Sequence, residues 1–289
     1  MEGFILDCQS KNLSSGTIKF YRNKLKNFLE FCDLRFISSI QEITPHFLRE
    51  YILWLESNGH NPGGCHAFYR TIKAFLKWYE CETDVDSWKN PINKVKGPKV
   101  KIEPLEPVKI ETIKSMLDVC GNDFYGLRDK AIILMLMDTG LRASELIDLN
   151  IEDVNPVTGV VVIRKGKGGK FRIAYLGKKS RQTLRKYLKV RVDNTDPLFI
   201  NRYGERLAYD GLRGIMSRLS SRTGVDKQSI HSFRRYFALE MLRNGVDIFS
   251  LQLLMGHSDI QILRRYLKQT NQDAYKAHIK GSPVDKTLC

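Results

Sequence analysis

The chain has 289 residues, of which 42% are hydrophobic and 10% aromatic, so it has room for about two domains and is too apolar for a disordered polybasic tail. Its 47 Lys and Arg against 32 Asp and Glu give a net charge of +15, which suits a nucleic acid, an anionic membrane surface or an acidic protein as partner. No apolar run approaches the roughly 20 residues of a membrane span, and the acidic Glu2 and Asp7 do not fit a secretory signal. We therefore expect a cytoplasmic protein.

Six scattered cysteines without a C-x-x-C pair predict no structural zinc and favour a reducing compartment.

The N-terminal part of the chain is predicted to be a small, all-helical domain. Apolar residues recur at three- and four-residue steps in three segments, and the first helix is expected to begin near residue 13. Ser14 or Ser15, Thr44 and Pro62 mark the starts of these helices, which cover residues 13–32, 44–58 and 62–80. A short fourth helical segment is expected at 85–95. The many Lys and Arg on the outer faces could form a basic clamp on DNA, or could simply keep an ordinary bundle soluble.

Residues 96–105 are predicted to be a basic linker, because glycine, prolines and lysines there cannot continue a helix. We therefore divide the chain into a domain at 1–95, this linker, and a second domain at 106–289.

The second domain is predicted to be helical apart from one β-hairpin. The hairpin, residues 160–176, has β-branched runs on both sides of a Gly-Lys-rich turn. Helices are expected around it, at 110–119, 127–139, 141–149, 180–191, 209–223, 232–244, 248–255, 260–266 and 271–280. The predicted fold class is mainly α with a small antiparallel β-sheet.

Several segments of the second domain carry residues suited to phosphate chemistry. In TGLRASEL, Arg142 begins a helix among apolar neighbours, where burial is costly unless something anionic meets it; the alternative is an internal ion pair with Glu145. His231 and Arg234 are three residues apart and share a helix face, so both can address one phosphate. His257 follows a glycine, and a tyrosine lies nine residues further on. Each of these features is weak alone.

In combination they are much more specific. The sequence resembles the tyrosine recombinase (phage integrase, Xer-like) family through TGLRASEL, the hairpin turn GKGGKFR, HSFR, GHS and the tyrosine after it, all in the family's order. The resemblance covers about residues 106–275, and the N-terminal helices resemble the family's core-binding domain. It implies an all-helical, SAM-like core-binding domain joined to an α+β catalytic domain that carries the nucleophile and a tail near its C-terminus.

The resemblance also implies roles for individual residues. Tyr266 matches the nucleophile that attacks the scissile phosphate and forms a 3′-phosphotyrosyl link. Arg142 and Arg234 match the residues that hold the non-bridging oxygens, a task for which the planar guanidinium is better suited than an ammonium. His231 matches the acid/base position, and His257 matches the position that hydrogen-bonds the phosphate.

Lys167, in the middle of GKG, matches the general acid that protonates the leaving 5′ oxygen. Lys165 and Lys170 are close rivals, although we expect them to contact the DNA backbone, and we group Arg172 with them as a DNA-binding residue. Glu145 is expected to orient the preceding arginine or the fold around it rather than to act in catalysis.

The implied function is site-specific DNA recombination through a Holliday junction, without metal or cofactor, in integration and excision or in dimer resolution. Four protomers would assemble on two double-stranded sites with paired half-sites, with accessory proteins possible, in the nucleoid. Residues 274–279 would dock on a neighbour or pack on their own domain, and the chain is expected to lack an arm-binding domain. The alternatives are a type IB topoisomerase-like relaxing enzyme and a catalytically idle DNA-binding protein.

Overall fold

The computed structural model describes residues 1–83, 88–100, 106–164, 171–191 and 195–256, together with Tyr275, His278, Ile279 and Ser282. The chain divides into two compact units, Met1–Ile102 and Glu103–Cys289, each with its own hydrophobic core. The division lies within the range that was assigned to the linker. Among the described helices, none combines the length and the apolar character that crossing a membrane requires.

The described part of the first unit contains four α-helices around an aromatic core. Their bounds are α1 Glu2–Ser10, α2 Ser15–Leu34, α3 Pro45–Ser57 and α4 Pro62–Glu82. Three of them begin at a side-chain cap: Ser14 accepts from the Thr17 amide, Thr44 from that of Phe47, and Asn61 from that of Gly64. Each cap satisfies an amide that the helix itself leaves open. Ser14 and Thr44 therefore start their helices as predicted, whereas Asn61, ahead of the predicted Pro62, was not identified from the sequence.

Two predictions for the first unit were wrong. The first helix, α1, begins at Glu2 and not near residue 13, and one narrow face of it, with Phe4, Ile5 and Cys8, is buried. In place of a helix at 85–95, the described residues form only a 3₁₀ turn, Pro91–Lys94. Asn90, which is 4% exposed, caps this turn and donates a hydrogen bond to the Leu76 carbonyl of α4. The irregular segment around the turn is thereby packed against α4.

The described part of the second unit is helical with one antiparallel hairpin, as predicted. Its elements are α5 Ile110–Asp118, α6 Phe124–Thr139, α7 Ala143–Asp148, β1 Val160–Ile163, β2 Arg172–Tyr175, α8 Lys178–Val190, α9 Tyr209–Thr223, α10 Ile230–Arg243 and α11 Ile248–Met255. Helix α6 lies in the core and packs against α8 and α10. The predicted helices at 260–266 and 271–280 lie outside the described residues, except that Tyr275, His278 and Ile279 are helical.

Helix ends, rather than helix faces, bring the candidate residues of the second unit together. Helix α6 ends at Gly140, whose φ of 57° is left-handed and whose Cα lies against the ring of Phe237 in α10, so a Cβ would overlap that ring. Helix α11 ends in the same way at Gly256, with φ of 62°. The start of α7 and the paired end of the hairpin, Ile163 with Arg172, complete this region.

Candidate functional site

A buried carboxylate, Glu145, is the centre of the site. Its side chain is 1% exposed, and its two oxygens face the guanidinium groups of three arginines. Arg142 Nη1 lies 2.6 Å from Oε1, Arg172 Nη2 lies 2.7 Å from Oε2, and Arg234 Nη1 lies 3.9 Å from Oε2. We call these four residues the arginine cluster. It carries a net of two positive charges in a nearly dry setting, where such charges act strongly on an anion.

The charge state of Glu145 follows from its surroundings. Burial by itself would raise the pKa of this carboxyl, but Arg172, the Arg142 amide and the Arg142 guanidinium outweigh that effect and hold the pKa below its usual value. Glu145 is therefore ionised at neutral pH and can keep its arginines in place.

Arg142 sits at the N-cap of α7, as its place in TGLRASEL predicted. Its backbone amide donates to Glu145 Oε2 at 2.8 Å, and its guanidinium donates to Oε1. The internal ion pair that the sequence left open as an alternative is therefore present. The Arg142 side chain is also 19% exposed, the most accessible of the three arginines, so it remains able to meet an anion from solvent.

Arg234 is buried more deeply than its expected phosphate contact would suggest. Its side chain is 1% exposed, Nη1 donates to the Gly140 carbonyl, and Nη2 donates to the Met255 carbonyl at 2.7 Å. A guanidinium with donors in several directions can thus join the ends of α6 and α11. Contact between Arg234 and a phosphate stays a prediction, because the side chain is almost fully enclosed by the protein.

Arg172 requires a correction. We grouped it with the DNA-contacting residues of the hairpin, but its side chain points into the unit, is 6% exposed, and donates to Glu145 and to the Leu254 carbonyl. The strand alternation explains this placement, since Arg172 and Ala174 face the core while Ile173 and Tyr175 face outward. Sequence reasoning read the side chain as one more basic residue of the turn and missed that it is the inward-facing first residue of β2.

His231 lies in the first turn of α10, one turn before Arg234 and next to the Ser229 cap. Its ring stays accessible to solvent. Partial burial, together with the positive charges of Arg234, Arg235 and Arg142, lowers the pKa of His231. The imidazole is therefore neutral at neutral pH, which is the form that can accept a proton.

Five of the predicted site residues lie outside the described residues: Lys165, Lys167, Lys170, His257 and Tyr266. The structure does describe the residues that adjoin the segment with the three lysines, and one that adjoins His257, in the sequence. Residues 165–170 lie between Arg164 and Phe171 at the end of the hairpin, and His257 is the next residue after Gly256, the C-cap of α11. Arg172, a member of the arginine cluster, is at the end of the hairpin, and its side chain contacts Gly256.

The described residues hold no group of three or more His, Cys, Asp or Glu side chains placed to bind a metal ion. They do contain the arginine cluster, in which guanidinium donors surround the Glu145 carboxylate, together with the neutral imidazole of His231. Such an arrangement can stabilise a phosphate group whose negative charge increases in a transition state, with a proton acceptor nearby.

Comparison with known proteins agrees with this chemistry. The sequence pattern of the phage integrase family matches residues 108–273, and that of the phage integrase SAM-like domain matches residues 4–78. The chain is 30% identical to tyrosine recombinase XerD of Staphylococcus saprophyticus, with 94% of each chain covered, and 28% identical to tyrosine recombinase XerA of Pyrococcus horikoshii, with 100% of this chain and 95% of that one covered.

Among solved structures, XerH site-specific recombinase bound to palindromic difH substrate in a post-cleavage complex has a TM-score of 0.73 and 21% identity, covering 92% of this chain and 80% of that one. At that identity the likeness concerns the fold alone. The family pattern spans more than half of the chain, and the XerD relative matches nearly all of it. The chain therefore belongs to the phage integrase family of tyrosine recombinases.

Proposed function

We propose that this chain is a site-specific recombinase that cleaves and rejoins double-stranded DNA through a 3′-phosphotyrosyl intermediate and a Holliday junction. The observation that carries the proposal is the arginine cluster beside His231, in a chain of the phage integrase family. Relatives named as recombinases over nearly the whole length, and related structures bound to DNA, support the same conclusion. The surplus of 15 positive charges supports a DNA partner.

In the proposed reaction the Tyr266 oxygen attacks the scissile phosphorus while the bond to the 5′ oxygen breaks. His231 takes the tyrosine proton, and Lys167 gives a proton to the leaving 5′ oxygen. Arg142 lies where it can meet a non-bridging oxygen, with Arg234 behind it. The phosphotyrosyl bond keeps the phosphate activated, so an incoming 5′ hydroxyl can rejoin the strand without ATP.

The remaining roles extend the same proposal. His257 hydrogen-bonds the phosphate, Lys165 and Lys170 contact the DNA backbone, and no metal ion or cofactor takes part. Residues 1–95 form the clamp on DNA, 96–105 the linker and 106–289 the catalytic domain. Four protomers act on two sites, with residues 274–279 docking on a neighbour. Integration and excision of a mobile element and resolution of dimers both fit this activity.

A covalent-adduct experiment tests the proposal. The protein is incubated with fragmented DNA, the DNA recovered in covalent adducts is sequenced, and a nicked half-site is built from that sequence. Tyr266→Phe is expected to form no adduct while binding the half-site as before, and Arg142→Ala is expected to bind but to cleave at least about 100-fold more slowly. Tyr209→Phe, at an exposed tyrosine of α9, is the matched control and is expected to cleave normally.

Adduct formation by Tyr266→Phe would show that the nucleophile is wrong. Exchange of strands between two duplexes that carry the recovered site is expected from a recombinase. Relaxation of supercoiled DNA at arbitrary sequences would instead favour the topoisomerase-like alternative, and specific binding without any adduct from the unmodified protein would favour an idle DNA-binding protein.

A further inference from the structure

Arg172 occupies an unusual place in the hairpin. It is the first residue of β2 and pairs with Ile163, the last residue of β1, so residues 164–171, which include Lys167, connect the two strands at this pair. Its side chain runs inward and is 6% exposed. The base of the turn is thus tied to whatever the Arg172 side chain contacts.

Those contacts are the two other parts of the site. Arg172 Nη2 donates to Glu145 Oε2 at 2.7 Å, and Nη1 donates to the carbonyl of Leu254 in the last turn of α11. The Cδ atom lies against Gly256, where an added Cβ would be 2.6 Å away. One side chain therefore touches the carboxylate that holds Arg142 and the residue that directly precedes His257 in the sequence.

The geometry requires an arginine. The two acceptors, a carboxylate oxygen and a helix carbonyl, belong to different elements, and a guanidinium reaches both at once because its donors are fixed in a planar fork. An ammonium is a single charged point at the end of a flexible stem, so Lys in this position would hold one acceptor well and the other poorly. Glutamine would lose the charge as well.

We infer that Arg172 is a positioning residue for DNA cleavage, which fixes the hairpin base, Glu145 with its Arg142, and the end of α11 relative to one another. This inference rests on the proposed function, since it assumes that the residues so positioned cleave DNA. Arg172 itself does not contact the DNA. It acts through Glu145 and through the chain segments that lead to Lys167 and His257.

Loss of Arg172 is also expected to change the pH dependence of cleavage, because Arg142 and Arg172 are the two cations in direct contact with Glu145. Without it, burial is opposed by fewer charges, and the pKa of Glu145 rises. Protonated Glu145 would release Arg142, so cleavage would fall at a higher pH than in the unmodified protein. The charged groups that face Glu145 are Arg142 and Arg172 in direct contact, Arg234 at 3.9 Å, and Asp148, Asp153, Arg164 and Arg206 across the adjoining cavity of about 360 Å³.

The test measures single-turnover adduct formation on the nicked half-site, with protein in excess, from pH 8 down to about pH 3.5, because the pKa of Glu145 in the unmodified protein lies below the usual carboxyl value of about 4.3. Arg172→Gln is expected to slow adduct formation by about 100-fold, since displacement of a positioned group by about 1 Å has that effect, while DNA affinity changes by less than about threefold. Its acid limb is expected at higher pH than that of the unmodified protein. Glu145→Gln in the same chain is expected to abolish this shift and to leave only the limb that His231 causes, and Arg172→Lys is expected to recover about tenfold of the rate.

Arg164→Gln is the matched control, because Arg164 is at the end of the same hairpin but its side chain, which is 59% exposed, pairs with Asp153 and Glu152 and not with Glu145. It is expected to keep the acid limb of the unmodified protein. A wild-type rate and an unmoved acid limb in Arg172→Gln would overturn the inference. So would an equal loss at every pH with no recovery in Arg172→Lys, since that is the signature of a general folding defect.

If Arg172→Gln does not fold, as judged by its thermal transition, Arg172→Lys decides the matter, and a full wild-type rate in that variant overturns the inference. Failure of the unmodified protein to form any adduct would instead overturn the proposed function, so the two failures are distinguishable.

Discussion

Replacing Glu145 by glutamine is the most direct test of the arginine cluster. The amide has nearly the same shape as the carboxylate, and its oxygen can still accept from the Arg142 amide and from Arg172. The substitution removes the charge, and it places an NH2 donor against the Arg142 guanidinium, which is also a donor. It leaves Arg142, Arg172 and Arg234 facing one another without the anion that separates them.

The magnitude follows from burial. Glu145 is 1% exposed, and two of its guanidinium partners lie at 2.6 Å and 2.7 Å. Removing one partner of a buried ion pair costs about 3–5 kcal/mol, and the hydrogen bonds that the amide retains place Glu145→Gln near the lower end, at about 3 kcal/mol. For a unit of this size, each kcal/mol lowers the melting temperature by about 2–4 °C, so we expect a fall of about 6–12 °C.

The two units offer an internal control for the assay. All three tryptophans, Trp54, Trp78 and Trp88, lie in the first unit, so their fluorescence reports on the unfolding of that unit, whereas far-ultraviolet circular dichroism reports helix loss in both. We expect the dichroism transition of the second unit to fall and the tryptophan transition to stay. Glu152→Gln, which removes a 69% exposed carboxylate from its pair with Arg164, is the control variant and is expected to change neither transition.

The pH dependence provides a second check. Because the pKa of Glu145 is lowered in the folded state, its contribution is fully present above the unfolded carboxyl value of about 4.3 and is lost as the pH falls through the lower folded value. The difference between wild type and Glu145→Gln should be constant from pH 6 to pH 8 and should shrink below about pH 4. A loss of less than about 1 kcal/mol at pH 7 would refute the reasoning, because the arginines would then not depend on the carboxylate.

Two further predictions concern neighbouring positions. Gly140→Ala is expected to destabilise the second unit by about 2–4 kcal/mol in chemical denaturation, because φ is +57° and a Cβ would overlap the Phe237 ring; Gly214→Ala, with open space in α9, should be neutral or stabilising, and equal losses at both would contradict this. His231 is expected to titrate by NMR with a midpoint below about 6.5 in the DNA-free protein, since burial and neighbouring arginines disfavour its charged form, and a midpoint above that value would contradict the placement.

The sequence predicted the regular helices well, because their signals are local. Ser14 and Thr44 were recognised as helix starts because serine and threonine are common N-cap residues. In the structure, each side-chain oxygen accepts a hydrogen bond from the backbone amide three residues further on. Helix α1 was missed because its buried stripe of Phe4, Ile5 and Cys8 spans little more than one turn, too short for periodicity to distinguish it from a frayed terminus.

The sequence singled out some members of the arginine cluster but few of their contacts. Arg142 and Arg234 were chosen from motif and spacing, and the Arg142–Glu145 pair was one of two alternatives that their three-residue separation left open. The separations that mattered most are long: 27 residues from Glu145 to Arg172, and 94 from Gly140 to Arg234. No local pattern encodes such contacts. The alternation of β2 could have placed Arg172 inward, had it been weighed against the basic character of the turn.

The three arginines of the cluster differ in how far their side chains are exposed to solvent, and this difference indicates different roles. Arg142 is 19% exposed, whereas Arg172 and Arg234 are 6% and 1% exposed and donate to Glu145 or to backbone carbonyls at helix ends. An arriving phosphate would therefore meet Arg142 first, with two fixed positive charges behind it. Holding three cations around one carboxylate is unfavourable without a further anion, and a phosphate would relieve that repulsion, most strongly when its own charge is greatest. These charges are thus arranged when the protein folds, so that little reorganisation would remain for the proposed cleavage step.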